Sequence, residues 1–174
     1  RRQTRPNAPS NGMACTAQLC HFAEAIMIPL RPSDWEKWMR PGSRVFVGSG
    51  AGCPHALMRQ LVERASSLKD IELVHIHTLG GAPWIAPALA DTFSVNSFVA
   101  GEEVRAAVRD GRADYTPCFL SEVPGLFLDG ILPLDVALIQ VSPPDVHGYC
   151  SLGVSVDVVS AAARAAHAVI AQVN

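Results

Sequence analysis

Val136-Ala-Leu-Ile-Gln-Val-Ser-Pro-Pro-Asp-Val-His-Gly-Tyr-Cys-Ser-Leu-Gly-Val-Ser-Val-Asp157 is the stretch that decides the fold class. Val136 to Val141 is almost wholly apolar, the pattern of a parallel strand covered on both faces. Ser142-Pro-Pro-Asp-Val-His-Gly148 then stops it with residues that fix or free the backbone. Open α/β sheets bind ligands just outside the carboxyl ends of their strands, so this polar turn is a candidate binding segment.

Upstream, the same rhythm recurs. Arg44 to Val47 reads as a short strand, Pro54 to Ser67 as a helix with Leu57, Met58, Leu61, Val62 and Ala65 on one face, and Ile71 to Thr78 as a strand. Thr92 to Val99 is a further strand, Glu102 to Asp110 a helix closed by Gly111, and Ala113 to Thr116 a short strand. Ser121 to Leu128 reads as a helix entered through Ser121, and Leu134 to Val141 follows as the strongest strand. Downstream, Asp157 caps an alanine-rich helix reaching His167, and Ala168 to Asn174 is a buried strand. The expectation is an α/β fold: an open, mostly parallel sheet with helices on both faces.

The amino-terminal portion reads differently. Residues 1–40 form an arm and helical lead-in, with a weakly helical Gly12 to Ile28 and a short helix, capped by Ser33, that contains Trp35, Trp38 and Met39. Residues 41–174 form the α/β domain. Arg1 to Gly12 is basic and free of acidic residues, as in an organellar transit remnant or a disordered arm; the lack of an amphipathic pattern favours disorder. At the other end, no terminal helix follows the last strand, which leaves one of its faces uncovered and suggests that more chain, or a partner, covers it.

Composition sets bounds. The 174 residues are 49% apolar and 17% charged, enough to bury one sizeable core. A net charge of −2 and sparse aromatics provide neither a basic stripe nor a stacking platform, which argues against nucleic-acid binding. No apolar run approaches the roughly 18 to 20 residues that cross a bilayer, so no membrane association is expected. Cys15, Cys20, Cys53, Cys118 and Cys150 make an odd count without a C-x-x-C, which fits packed thiols in a reducing compartment.

Several loops can carry chemistry. Gly48-Ser49-Gly50-Ala51-Gly52 follows Val47 and precedes Pro54, placing glycines where a backbone turns tightly and where N–H groups at a helix start can meet an anion. Its spacing is neither the dinucleotide fingerprint nor a P-loop, and a purely structural turn is an equal reading. Gly80 and Gly81, Pro117, and Ser142, Pro143, Pro144, His147 and Gly148 end later strands in the same manner, and four such loops are expected to converge on one crevice. His55, His75, His77 and His147 lack a third ligand at sensible spacing, so no metal is assigned. Cys53 with His55, or Cys150 with His147, can form a nucleophilic pair only if the fold brings them together. Glu102, Glu103 and Glu122 are the carboxylates nearest these loops, and a place in a helix first turn explains them equally well.

Five segments carry a resemblance: Gly48 to Pro54; Gly111 to Pro117 with Leu120 to Pro124; Leu134 to Asp145; His147 to Asp157; and Ala168 to Asn174. In order and spacing they resemble the amino-terminal half of the acetyl-CoA hydrolase/transferase family, which includes 4-hydroxybutyrate and succinyl-CoA:acetate CoA-transferases. The resemblance implies two similar open α/β halves with the active site between them, and exchange of CoA between an acyl-CoA, such as acetyl-CoA, and a short carboxylate or water. It implies a glutamate nucleophile and a glutamyl-CoA thioester.

That glutamate belongs to the carboxyl-terminal half, so no catalytic residue is assigned within these residues. Gly48, Ser49, Gly50, Gly52, Pro54, Gly80, Gly81, Pro117, Ser142, Pro143, Pro144, His147 and Gly148 are expected to face acyl-CoA and carboxylate, with Ser49 a hydrogen-bond donor. Coenzyme A is expected as substrate, with no permanently bound cofactor. The expected partners are the carboxyl-terminal half and a second copy in a homodimer. The cytoplasm is the expected compartment, with the mitochondrion as alternative. The rival readings are an acyl-CoA hydrolase, a non-catalytic CoA- or anion-binding module, and a complete small hydrolase using Cys–His or Ser–His residues.

Overall fold

The computed structural model describes residues 14–17, 28–31 and 34–174. Its strands are β1 (Ala14–Ala17), β2 (Ile28–Pro29), β3 (Arg44–Val47), β4 (Ile71–His75), β5 (Phe93–Ser97), β6 (Asp114–Tyr115), β7 (Val136–Val141) and β8 (Ala168–Val173). The helices are α1 (Asp34–Trp38), α2 (His55–Glu63), α3 (Glu102–Arg109), α4 (Val123–Leu128) and α5 (Val159–Ala165). All strands join one sheet in the order β2-β1-β8-β7-β3-β4-β5-β6. From β8 to β6 the pairings are parallel, and β1 and β2 add on antiparallel.

Strand alternation divides the core into two layers. Val45, Val47, Leu73, Val95, Leu138 and Ile170 point to one side, where they meet Leu57, Met58 and Leu61 of α2 and Val104 and Ala107 of α3. Phe46, Val74, Ala137, Ile139, Val169 and Ala171 point to the other, under Val123 and Phe127 of α4 and Val159 and Ala162 of α5. Two faces covered by helices require strands that are apolar at every position, which is why β7 reads as a continuous hydrophobic run.

From β3, in the middle of the sheet, the chain moves outward through β4, β5 and β6 and returns to the other flank of β3 as β7. Strand order therefore reverses between β3 and β7. Their outgoing loops lead to α2 and α5 on opposite faces and leave a crevice between them.

Two expectations are corrected at the amino-terminal end. Within the segment read as weakly helical, Ala14–Ala17 is a strand, paired antiparallel with β8 from Ala14 opposite Gln172 to Ala17 opposite Val169. The free backbone groups along the edge of β8 outweigh a weak local helix preference. The expectation of an uncovered face on the last strand also fails. Ala168 through Ala171 are buried: Ile170 lies in the layer of α2, while Val169 and Ala171 lie in that of α5. Helix α1 buries Trp35 completely and is followed by buried Met39; Ser33, read as its cap, lies outside the described residues.

Most boundaries shift by a few residues. Helix α4 begins at Val123 rather than through Ser121, because Pro124 occupies its first turn and Glu122 holds the cap position. Helix α3 ends as read: Gly111 has φ 69°, and the Arg112 N–H turns back to the Ala107 carbonyl. Helix α5 ends at Ala165, before His167.

Candidate functional site

The loop after β3 is held on both sides. The Gly48 N–H donates to the Leu138 carbonyl of β7 at 2.8 Å, and the Gly50 N–H donates to the His77 carbonyl at 2.7 Å. Gly50 adopts φ 57°, the left-handed region that favours glycine. A Cβ on Gly48 would lie 3.1 Å from the Gly52 carbonyl oxygen, and one on Gly52 would lie 2.9 Å from Cβ of Ser155. The glycines thus let one backbone segment lie flat against its neighbours.

The amide protons of this loop are largely consumed by the protein. Gly52 N–H donates to Ser155 Oγ at 3.1 Å, and Cys53 N–H to the Gly50 carbonyl at 3.3 Å. At the start of α2, the Ala56 and Leu57 N–H groups both donate to Gln172 Oε1 of β8, at 2.8 and 3.4 Å. The reading of this helix start as open donors for an anion therefore meets an occupied position. Pro54 is buried at the cap of α2. Ser49, expected to donate to substrate, is 2% exposed and gives its proton to Asp157 Oδ2 at 2.7 Å.

The loop after β4 lies alongside. Thr78 bridges Gly50, and Gly80, at φ 92°, rests on the imidazole of His55, with two ring atoms 3.3 Å from where its Cβ would be. Gly81 is exposed beside it.

The loop after β7 is closed by two serines. Ser142 N–H donates to the Ser151 carbonyl, and the Ser151 N–H returns to Ser142 Oγ, each at 2.9 Å. Beyond them, Asp145 Oδ1 accepts the N–H groups of His147 and Tyr149 at 2.8 and 2.9 Å and shapes an exposed tip of Pro143, Pro144, His147 and Gly148. A cavity of about 220 Å³ lies between this loop and the β3 loop, lined by Gly52, Gln140, Ser142, Ser151, Leu152 and Val154 among others.

The structure thus joins the β3, β4 and β7 loops. The loop after β6 stands apart at the sheet edge, three strand spacings or ~14 Å from β3. There the Thr116 N–H donates to the Ser97 carbonyl, and Pro117 is exposed.

The three described thiols are all shifted upward. Burial pushes the Cys53 thiol up to about 12. Cys150 is raised by burial and then by Asp145, and Cys118 by burial and then by Glu122. A raised thiol is a poor nucleophile near neutral pH, which counts against the Cys–His hydrolase. His75 is fully buried with Nδ1 3.1 Å from Thr78 Oγ1, and among the described residues no cluster of His, Cys, Asp and Glu is suited to a metal ion. Glu122 accepts the Phe119 N–H, a local structural role, and Glu102 is exposed in the first turn of α3.

Sequence reasoning missed Ser155 and Gln172 and read Asp157 only as a helix cap. Gln172 had a signal: a lone amide in an otherwise apolar buried strand must find polar partners.

Exposed apolar side chains lie along this end of the sheet, from the β3 side to its edge. Leu79, Val99, Phe119, Val146 and Val154 all follow carboxyl ends of strands, with Val146 94% and Val154 86% exposed. The doubly wound α/β domain thus brings glycine-rich and polar loops together at the carboxyl ends of its strands, where folds of this class bind ligands.

The family of this domain follows from comparison with known proteins. Residues 30–174 match the acetyl-CoA hydrolase/transferase N-terminal domain, and the chain belongs to that family. It is 48% identical over 155 residues to succinyl-CoA:acetate/propanoyl-CoA:succinate CoA transferase of Fasciola hepatica, covering 82% of this chain and 32% of that one. It is 46% identical over 132 residues to 4-hydroxybutyrate coenzyme A transferase of Clostridium kluyveri, covering 76% and 31%. The crystal structure of a 4-hydroxybutyrate CoA-transferase from Porphyromonas gingivalis superposes with a TM-score of 0.65 at 33% identity, covering 82% and 32%. The chain spans about a third of the length of these relatives, at 32%, 31% and 32%.

Proposed function

We propose that this chain forms the amino-terminal wall of a CoA-transferase active site, which moves CoA between an acyl-CoA such as acetyl-CoA and a short carboxylate. The observation that carries this reading is the match of residues 30–174 to the acetyl-CoA hydrolase/transferase N-terminal domain, supported by the meeting of the β3, β4 and β7 loops at the carboxyl ends of the strands. The wall holds substrate, and the nucleophile comes from a carboxyl-terminal half that also covers the apolar rim.

In the proposed chemistry, a glutamate carboxylate of that half attacks the thioester carbonyl and CoA leaves as thiolate, giving an acyl-glutamyl anhydride. The thiolate then attacks the glutamyl carbonyl and releases the first carboxylate, which leaves an enzyme glutamyl-CoA thioester. An incoming carboxylate reverses these steps and departs as its CoA thioester. Splitting one hard exchange into steps that share an activated acyl group is the benefit of covalent catalysis. The β3 loop, held by hydrogen bonds to β7 and to the loop after β4, forms the floor of the cleft.

The test is thioester exchange between acetyl-CoA and a panel of short carboxylates, run with residues 1–174 alone and with the full-length product of the same gene. Borohydride trapping identifies the acylated residue. Exchange in the longer protein only, with the trapped glutamate beyond Asn174, is expected. Exchange by the 174 residues alone would overturn the proposal.

A further inference from the structure

We propose that Asp157 is a positioning residue that sets the substrate-facing loop after β3; this rests on the CoA-transferase reading. Its carboxylate serves two segments at once. Oδ2 accepts the Ser49 hydroxyl at 2.7 Å, across 108 residues of sequence. Oδ1 accepts the N–H groups of Val158 and Val159 at 2.5 and 3.2 Å, at the start of α5. Two residues earlier, Ser155 Oγ accepts the Gly52 N–H at 3.1 Å. The Gly48–Cys53 loop and the segment before α5 are therefore tied at two points that straddle the chain reversal between β3 and β7.

Ser49 is buried while Asp157 is exposed. A buried hydroxyl whose single proton goes to the protein cannot also donate that proton to substrate. Ser49 thus acts on substrate only through the backbone it fixes. A carboxylate acceptor is suited to this role, since charge-assisted hydrogen bonds are short and hold geometry well. A displacement of ~1 Å at a reacting group can cost up to ~100-fold in rate, so a loop forming the cleft floor is sensitive to loss of such a tie.

The alternative role is a plain helix cap, and two substitutions separate them in the full-length protein. Asp157→Ser keeps an oxygen for the α5 amides but is too short to hold Ser49 as well. Asp157→Asn keeps Oδ1 for the amides and presents an N–H to Ser49 Oγ. The expectation is that Asp157→Ser lowers kcat for acetyl-CoA exchange roughly 10- to 100-fold, with an unchanged borohydride-trappable fraction. Asp157→Asn should recover most of that rate. Ser49→Ala should match Asp157→Ser, and the double variant should be no slower than either single.

Wild-type turnover in Asp157→Ser, or multiplicative losses in the double variant, would overturn the proposal. If the wild-type protein exchanges no thioester at all, the functional reading fails, and the tie is judged by hydrogen exchange. Equal loss of amide protection across Gly48–Cys53 in Asp157→Ser and Ser49→Ala supports it, and unchanged protection refutes it.

Discussion

Gln172 of β8 accepts the N–H of Ala56 on its Oε1 at 2.8 Å, a hydrogen bond that spans 116 residues and closes the first turn of α2. The helix has Pro54 at its cap position and makes no side-chain cap of its own. Gln172 replaces that cap from the neighbouring strand, and its Nε2 in turn donates to Gln140 Oε1 at 3.2 Å. Replacing Gln172 with Leu removes the acceptor from two helix amides. The expected cost is ~1–2 kcal/mol, read as a lower urea midpoint at unchanged slope. An unchanged midpoint would show that water replaces the amide without penalty.

Gly52 has no room for a side chain, because its Cβ would meet Cβ of Ser155 at 2.9 Å. Gly52→Ala should destabilise by ~1–3 kcal/mol. Ser155→Gly removes the obstructing atom. The double variant should therefore be less impaired than the sum of the two single effects, a coupling readable from the four unfolding free energies.

The Cys53 thiol is raised from 9.0 to about 12 by burial, which separates it chemically from the other described thiols. In the native protein, Cys118 and Cys150 should react with a disulfide reagent before Cys53, which is 1% exposed. The pH dependence has a definite sign. Folding favours the protonated thiol, so its contribution is fully present below 9.0 and is lost as the pH rises toward about 12. A Cys53→Ala variant should lose less stability than wild type across that window; parallel curves would sink the assignment.

Phe127 meets Phe46 and Phe98 edge-on, with ring centroids 5.6 and 6.0 Å away. It fixes α4 to β3 and to the residue after β5. Phe127→Ala should cost ~3–5 kcal/mol, while Phe127→Leu, which keeps most of the volume, should cost less than half as much. Similar losses for both would mean that ring geometry outweighs volume.

Much of the architecture was legible because the periodicities here are strong. β3 was read with its observed ends and β7 with its core residues, since strands buried on both faces leave little room for polar residues. Gly111 marked the end of α3 because its φ of 69° is unfavourable for most other residues. The strand Ala14–Ala17 was not legible. Four residues carry no period of their own, and their structure comes from the edge of β8, which is more than 150 positions away in sequence.

The candidate site divides along the same line. Local chain chemistry determined where the turns fall, because glycine and proline restrict or release φ and ψ residue by residue. It also determined that the strand ends carry the polar loops. Tertiary structure alone decided which loops meet: the β3, β4 and β7 loops adjoin, while Pro117 sits at the far edge. It also decided which donors remain for a ligand. Ser49 and the first amides of α2 are satisfied by Asp157 and Gln172, more than 100 residues away, and such pairings follow from strand order rather than from any local pattern.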